Sequence, residues 1–169
     1  MNDLVNNLRE EIKELYRQHK YLLFHGWHHI YFVTEHAKRF AGMIDADVHL
    51  VEAAALVHDL NYIVEKNSKP EAAQEMRSDV LSSAGFSQGL IDRIESMINE
   101  AHTGSRSKTI SPEGMALSDA DTLFKALPLT PILFAGKYVQ ETGTNINELA
   151  EKIVSEQRPL LDQDIYFLY

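Results

Sequence analysis

Cysteine is absent from all 169 positions of the sequence. This absence excludes disulfides, cysteine-ligated zinc, iron–sulfur clusters and cysteine nucleophiles. It agrees with a reducing compartment, and the segment that begins with Met1 has no basic region followed by an apolar run. We therefore expect a cytoplasmic protein without a signal peptide.

Long apolar runs and a surplus of basic residues are missing as well. No apolar run approaches the roughly 20 residues that a membrane span requires. Lysine and arginine number 16 against 25 acidic residues, which gives a formal net charge of −9. Because a nucleic-acid backbone is bound through clustered positive charge, we expect neither a nucleic-acid polymer nor a membrane as a partner.

The spacing of apolar residues is helical along the whole chain, and no convincing β alternation interrupts it. In the first helix Leu4, Leu8, Ile12 and Leu15 recur at intervals of three and four residues. Hydrophobic residues make up 44% and charged residues 24% of the chain, which is ordinary for a globular domain. The sequence therefore predicts one all-α domain over residues 1–169, a compact bundle of roughly seven to eight helices.

Capping residues indicate where several helices begin and end. Asp47 is a predicted N-cap for a strongly apolar helix, and Gly85 is a predicted C′ residue. Ser111, followed by proline, is typical of an N-cap with proline at the first helical position. Pro128 and Pro131 are predicted to break the chain before a helix over about residues 132–139.

An imidazole and a carboxylate stand side by side at the end of the apolar helix, in the run Ala-Ala-Ala-Leu-Val-His-Asp-Leu. Burying either group is costly unless it is paired or coordinated. At a helix end, both His58 and Asp59 can turn towards one ion. The alternative is a helix terminus at which His58 caps carbonyl groups and Asp59 is solvated.

Two further sets of residues have the chemistry of metal ligands. His25 and His29 are four residues apart, so on a helix they project to the same side. Asp119 and Asp121 interrupt an apolar helical stretch, where buried carboxylates call for a cation. The two acids face differently on a helix, so Asp119 is an alternative metal ligand to Asp121. His28 is likewise an alternative metal ligand to His29.

In this order, the motifs resemble those of the HD superfamily of metal-dependent phosphohydrolases. His29, with a hydrophobic residue one turn later, resembles the first histidine of that family, and His58-Asp59 resembles its name-giving doublet. Asp121, in Ala-Asp-Thr-Leu, resembles the closing aspartate. The resemblance covers about residues 21–127, and the helices of residues 129–169 are expected to pack on that core.

The resemblance implies a single divalent ion, Mn²⁺, Fe²⁺, Co²⁺, Ni²⁺ or Mg²⁺, with His29, His58, Asp59 and Asp121 as its ligands. A mixed nitrogen and oxygen set suits these metals. The implied activity is that of a phosphomonoesterase or phosphodiesterase in which a metal-activated water hydrolyses a small phosphoester, either a nucleotide or a sugar phosphate. Asp59 is expected to orient the attacking water as well.

Other residues are candidates for contact with the substrate. His25 resembles the proton-donating histidine of the related cyclic-nucleotide phosphodiesterases, and His102 falls where HD proteins often carry an extra histidine. Lys66, Arg106 and Lys108 make two loops locally basic in an acidic protein, which favours an anionic substrate. The alternatives are that the histidines only make hydrogen bonds and that the cations are solvated loop charges.

Two rival functions stay open. The first is a non-catalytic HD module that binds a nucleotide or another small phosphorylated ligand. The second is a two-iron oxygenase, which needs more ligands than the sequence offers. Self-association as a homodimer is also open.

Overall fold

The computed structural model describes residues 1–102, 110–127 and 129–158, with only the backbone of Gln157. Within these ranges the chain is helical and forms no strand, which confirms the all-α prediction. The helices are α1 (Asn2–Gln18), α2 (Trp27–Met43), α3 (Val48–Val57), α4 (Asn61–Val64), α5 (Gln74–Ser83), α6 (Gln88–Ala101), α7 (Pro112–Ala126), α8 (Leu129–Thr142) and α9 (Ile146–Lys152). A 3-10 turn at Pro70–Ala73 precedes α5, and a π-helical segment at Ile153–Gln157 follows α9.

Apart from the single-turn α4, the described ranges hold eight helices, in agreement with the predicted seven to eight. None of them is both long and apolar enough to cross a membrane. Arg106 and Lys108, which were expected to contact the substrate, lie outside the described residues.

Helix α3 is the centre of the molecule and packs against α1, α2, α6 and α7. The carboxylate of Asp47 caps it as predicted, since Oδ1 accepts a hydrogen bond of 3.1 Å from the amide of Leu50. The side chains of residues 53–57 are fully buried, which explains why this helix is apolar nearly all round. Its one buried acid, Glu52, is paired with Arg9 at 2.6 Å.

Helix α7 begins as the sequence predicts. Ser111 is its N-cap and accepts a hydrogen bond of 3.1 Å from the amide of Gly114, and the proline that follows is the first helical residue. The carboxylate of Glu100, at the end of α6, accepts hydrogen bonds from the Ser111 amide at 2.9 Å and from its hydroxyl at 2.6 Å. The start of α7 is thereby tied to the end of α6.

Two other predicted helix boundaries have different outcomes. Gly85 follows α5 with a φ of 95°, so its prediction as the C′ residue is confirmed. The helices are interrupted between Ala126 and Leu129, and Pro128 lies outside the described residues, but the predicted break at Pro131 is wrong because α8 runs from Leu129 to Thr142. Proline is tolerated there because amides of the first helical turn have no partner within the helix.

The loop before α2 is fastened to α8. Gly26 is the N-cap of α2, and a Cβ at this position would collide with the carbonyl oxygen of Leu22. The carboxylate of Glu141, near the end of α8, accepts hydrogen bonds from the amides of Phe24 at 2.6 Å and His25 at 3.3 Å. A residue far along the chain therefore fixes the backbone on which α2 begins.

A buried arginine fastens the 3-10 turn. Arg77 of α5 is fully buried and makes two hydrogen bonds of 2.6 Å to the carboxylate of Glu95 on α6. Its third contact is a hydrogen bond of 2.7 Å to the carbonyl of Pro70. Because Pro70 lines the cavity beside His58, this ion pair also positions one wall of the candidate site.

Candidate metal centre

Three helices bring together a cluster of groups that can ligate a metal. His29 lies in the first turn of α2, His58 follows the last residue of α3, and Asp121 lies within α7. One ligand atom from each of the three residues lies within 4.8 Å of the others. Because α2 packs directly on both α3 and α7, the fold itself determines this meeting point.

Asp59 joins the same cluster. Its Oδ2 lies 3.0 Å from Nε2 of His29 and 3.3 Å from Nε2 of His58. The Oδ1 of Asp121 lies 3.5 Å from Nε2 of His29. The structure therefore brings all four residues of the expected ligand set to one place.

The ring orientation of His58 leaves one nitrogen available to a ligand. Nδ1 lies 2.8 Å from the carbonyl oxygen of Ala55, which can only accept, so Nδ1 carries the proton. This leaves the lone pair of Nε2 directed at the cluster, the arrangement that orients metal-bound histidines.

Several buried atoms of the cluster have no hydrogen-bond partner among the described residues. They are Nε2 of His58, Oδ1 of Asp121 and both ring nitrogens of His29, whose Nε2 is in ion-pair contact with Asp59 but not aligned with it as a hydrogen bond. Buried polar atoms are nearly always satisfied, so a group of acceptors left over at one point suggests a missing cation. The residues therefore fit a divalent ion, by position as well as by ligand type.

The electrostatics keep both carboxylates ionised. Burial raises the pKa of Asp59, but the imidazoles of His58 and His29 outweigh burial and hold it well below its usual value. Burial also raises the pKa of Asp121, and the Lys125 ammonium outweighs it, so that this pKa is lowered too. Two ionised carboxylates are suitable ligands for a hard divalent cation.

The two imidazoles differ in their protonation. Burial lowers the pKa of His29, which therefore stays neutral, as a metal ligand must be. Burial lowers the pKa of His58 as well, but the charge of Asp59 outweighs it and the pKa is raised. Protons therefore compete with a cation for His58.

The structure separates the residues that the sequence left as alternatives. His28 stacks on Phe134, with ring centroids 4.9 Å apart and planes at 5°, and burial lowers its pKa to about 4. Asp119 is buried in α7 outside the cluster of ligand atoms. The cluster contains His29 and Asp121 instead.

A small cavity of about 90 Å³ opens beside the cluster, lined by His58, Asp59, Asp121 and His102 among others. The exposed His102 therefore lies where a ligand in this cavity would reach it. Lys66 does not line this cavity. It lines a different one, because the chain turns away after α4 and brings Lys66 beside Gly143.

His25 lies between the cluster and a larger cavity. Its ring is edge-on to that of His29, with centroids 5.9 Å apart, and stacks on Tyr62 at 3.6 Å and 8°. Its Nδ1 lies 2.5 Å from Oε1 of Glu141. This larger cavity, of about 290 Å³ against about 90 Å³ for the one beside the cluster, is lined by His25 and by residues of α8 and α9; the cavity lined by Lys66 is a third one, of about 410 Å³.

Sequence reasoning missed two residues that contact the site. Lys125 makes an ion pair with Asp121, and it lines the small cavity beside the cluster as well as the larger cavity that His25 lines. The spacing of four residues along α7 was a usable signal for this pair. Glu141 gave no signal, because its contact with His25 joins positions 116 residues apart.

Comparison with known proteins adds a family and a fold. The sequence model of the HD domain matches residues 26–125. Among solved structures, Bacillus subtilis YpgQ in complex with ADP has a TM-score of 0.67 and 24% identity, over 94% of this chain and 81% of that one.

A second structure of the same protein, in its selenomethionine form, also has a TM-score of 0.67. Its identity is 20%, over 94% of this chain and 80% of that one. At these identities the likeness shows a shared fold. A search of curated proteins finds no match.

Proposed function

The chain belongs to the HD domain family, and on that premise we propose that it is a metal-dependent phosphohydrolase acting on a small phosphoester, a nucleotide or a sugar phosphate. The observation that carries this proposal is the cluster of His29, His58 and Asp121, in which one ligand atom from each residue lies within 4.8 Å of the others and Asp59 contacts both imidazoles. YpgQ, which shares the fold, is known in complex with ADP, itself a small phosphorylated molecule.

His29, His58, Asp59 and Asp121 are proposed as the ligands of one divalent ion of Mn, Fe, Co, Ni or Mg. Such an ion, when bound, polarises a phosphoryl oxygen and makes a nearby water more acidic. Asp59 is in contact with both imidazoles, and its carboxylate is proposed to accept a hydrogen bond that orients the attacking water.

Lys125, His102 and His25, which lie beside the cluster, are proposed to handle the substrate. The ammonium of Lys125 lines the small cavity and would neutralise phosphate oxygens there, and the exposed His102 would donate a hydrogen bond to them. His25 is proposed as the proton donor to the leaving group, held in place by Glu141. Lys66 lines a separate cavity and is proposed only as a more distant cation.

Phosphate release from a panel of nucleotides and sugar phosphates tests this function. The protein is stripped with a chelator and reloaded with each metal in turn. Asp59→Ala is expected to abolish metal-dependent release, whereas Asp79→Ala, an exposed acid on α5, keeps it. Release that is independent of metal, or equal in the two variants, contradicts the proposed site.

A non-catalytic ligand-binding module is the second candidate, because the ADP complex of YpgQ is an observation of binding. In that case calorimetry would detect a bound nucleotide and a retained metal, while no phosphate appears over hours of incubation. Turnover of any member of the panel rules this candidate out.

A further inference from the structure

The two cavities meet at two side chains. Tyr62 and Lys125 line both the small cavity beside the ligand cluster and the larger one along α8. The small cavity, at about 90 Å³, has room for little more than a phosphoryl group, whereas the larger one measures about 290 Å³. A ligand lying across the junction would therefore place a small charged group in one cavity and a larger group in the other.

The walls of the larger cavity are aromatic near the junction. Phe24 and Tyr138 meet edge to face, with centroids 4.9 Å apart, and the ring of His25 is stacked on Tyr62. An aromatic wall of this kind suits a planar ring, since aromatic rings prefer stacked or edge contacts with one another.

Polar groups also line this cavity, beside its aromatic wall. Lys152 and Glu156 are among its lining residues, and Nζ of Lys152 lies 3.4 Å from the hydroxyl of Tyr138. A cavity that is mainly apolar, with a few converging polar groups, is typical of a small-molecule site. A donor and an acceptor beside an aromatic wall match the edge of a heterocyclic base better than an alkyl chain.

We propose that the larger cavity binds the nucleoside part of a nucleotide whose phosphate lies beside the ligand cluster. The inference rests on the proposed function for the phosphate end and deepens it, because it favours nucleotides over sugar phosphates. The aromatic wall is preorganised before a ligand binds, because the carboxylate of Glu141 holds the His25 ring in its stack on Tyr62.

Most of this cavity is built outside the part of the chain that matches the family. The match ends at residue 125, and the walls that include Ala135, Tyr138 and Lys152 belong to α8 and α9. The C-terminal helices therefore select the base, while the matched core supplies the groups that meet the phosphate.

Filling the cavity tests the inference. Ala135→Phe places a ring inside it, and Leu133→Phe places the same ring on the exposed side of the same helix as a matched control. Ala135→Leu fills less of the space and serves if the larger substitution prevents folding, which thermal unfolding detects. The probes are the four nucleoside monophosphates and ribose 5-phosphate, titrated by calorimetry with Mn²⁺ present.

Wild type and Leu133→Phe are expected to bind at least one nucleotide about tenfold more tightly than ribose 5-phosphate. Ala135→Phe is expected to lose most of that preference, and Ala135→Leu part of it. Equal nucleotide affinity in Ala135→Phe and Leu133→Phe overturns the inference, as does a wild type that binds ribose 5-phosphate as well as any nucleotide.

Turnover measured on the same samples separates this inference from the proposed function. A nucleotide preference that disappears in Ala135→Phe, without phosphate release from any probe, supports the nucleoside site and contradicts the hydrolase. Release with the same KM for nucleotides and ribose 5-phosphate, unaffected by filling the cavity, supports the hydrolase and overturns the nucleoside site.

Discussion

A bound ion is expected to raise the melting temperature of the protein, because only the folded chain brings His29, His58 and Asp121 within reach of one another. A ligand that binds only the native state at 100 times its Kd stabilises it by about 2.7 kcal/mol. For a domain of this size, about 1 kcal/mol shifts the melting temperature by roughly 2–4 °C. Saturating Mn²⁺ should therefore raise it by roughly 5–11 °C.

Two matched substitutions on α7 locate the origin of this shift. Asp121→Asn replaces a carboxylate in the cluster with an amide, a poorer ligand, and should reduce the metal-induced shift to a small fraction of the wild-type value. Asp119→Asn makes the same chemical change at a buried position outside the cluster and should leave the shift intact.

Each variant is compared with itself, with and without metal, because both substitutions also affect the apo protein. In particular, Asp121→Asn removes the carboxylate charge that forms an ion pair with Lys125. Differential scanning calorimetry of chelator-stripped protein, before and after adding Mn²⁺, gives the shifts. An equal shift in all three proteins refutes the ligand cluster, and a shift lost only in Asp119→Asn makes that residue the ligand.

Three further predictions concern charged groups around the site. Arg77→Met should cost about 3–5 kcal/mol because it leaves Glu95 without its buried partner. In the double variant Arg77→Met/Glu95→Met, much of the lost free energy of unfolding should be recovered, as chemical denaturation can measure. If the effects of the two substitutions simply add, the ion pair does not have the expected role. Burial raises the pKa of Glu100, but hydrogen bonds from the N-cap of α7 outweigh burial, and the pKa is lowered. The ionised Glu100 therefore stabilises the folded protein above the pKa that this group has in the unfolded chain, and the stabilisation is lost as acid protonates the carboxylate. The melting temperature should therefore fall more steeply between about pH 5 and 3 in wild type than in Glu100→Gln. Lys125→Met should raise the KM for a phosphorylated substrate about tenfold while metal still stabilises the protein, and an unchanged KM contradicts its phosphate contact.

Much of the fold could be predicted because the signals are local. Asp47 and Ser111 cap the helices that their sequence context indicates, and Gly85 adopts the positive φ for which a glycine C′ residue is selected. The position of the doublet His58-Asp59 was also visible, because polar groups at the end of an otherwise buried helix need a partner.

The rest depends on contacts between distant parts of the chain. Nothing near Glu141 indicates that it holds His25, since the interaction joins α8 to the loop before α2. The place of Lys66 in a separate cavity follows from the turn after α4, which spacing alone does not reveal. The larger cavity exists only because α8 packs on α7 and α9 packs on α8, so no single segment encodes it.

The contact between Glu141 and the loop before α2 has a consequence for the order in which the protein matures during translation. A nascent chain that has emerged as far as Ala126 already holds every proposed metal ligand, but the amides of Phe24 and His25 still lack their carboxylate partner. Since domains are synthesised from the N-terminus, the loop is fixed only after α8 has left the ribosome. A chain that ends before α8 therefore contains all four proposed ligands but lacks both the carboxylate that fixes this loop and the α8 wall of the larger cavity.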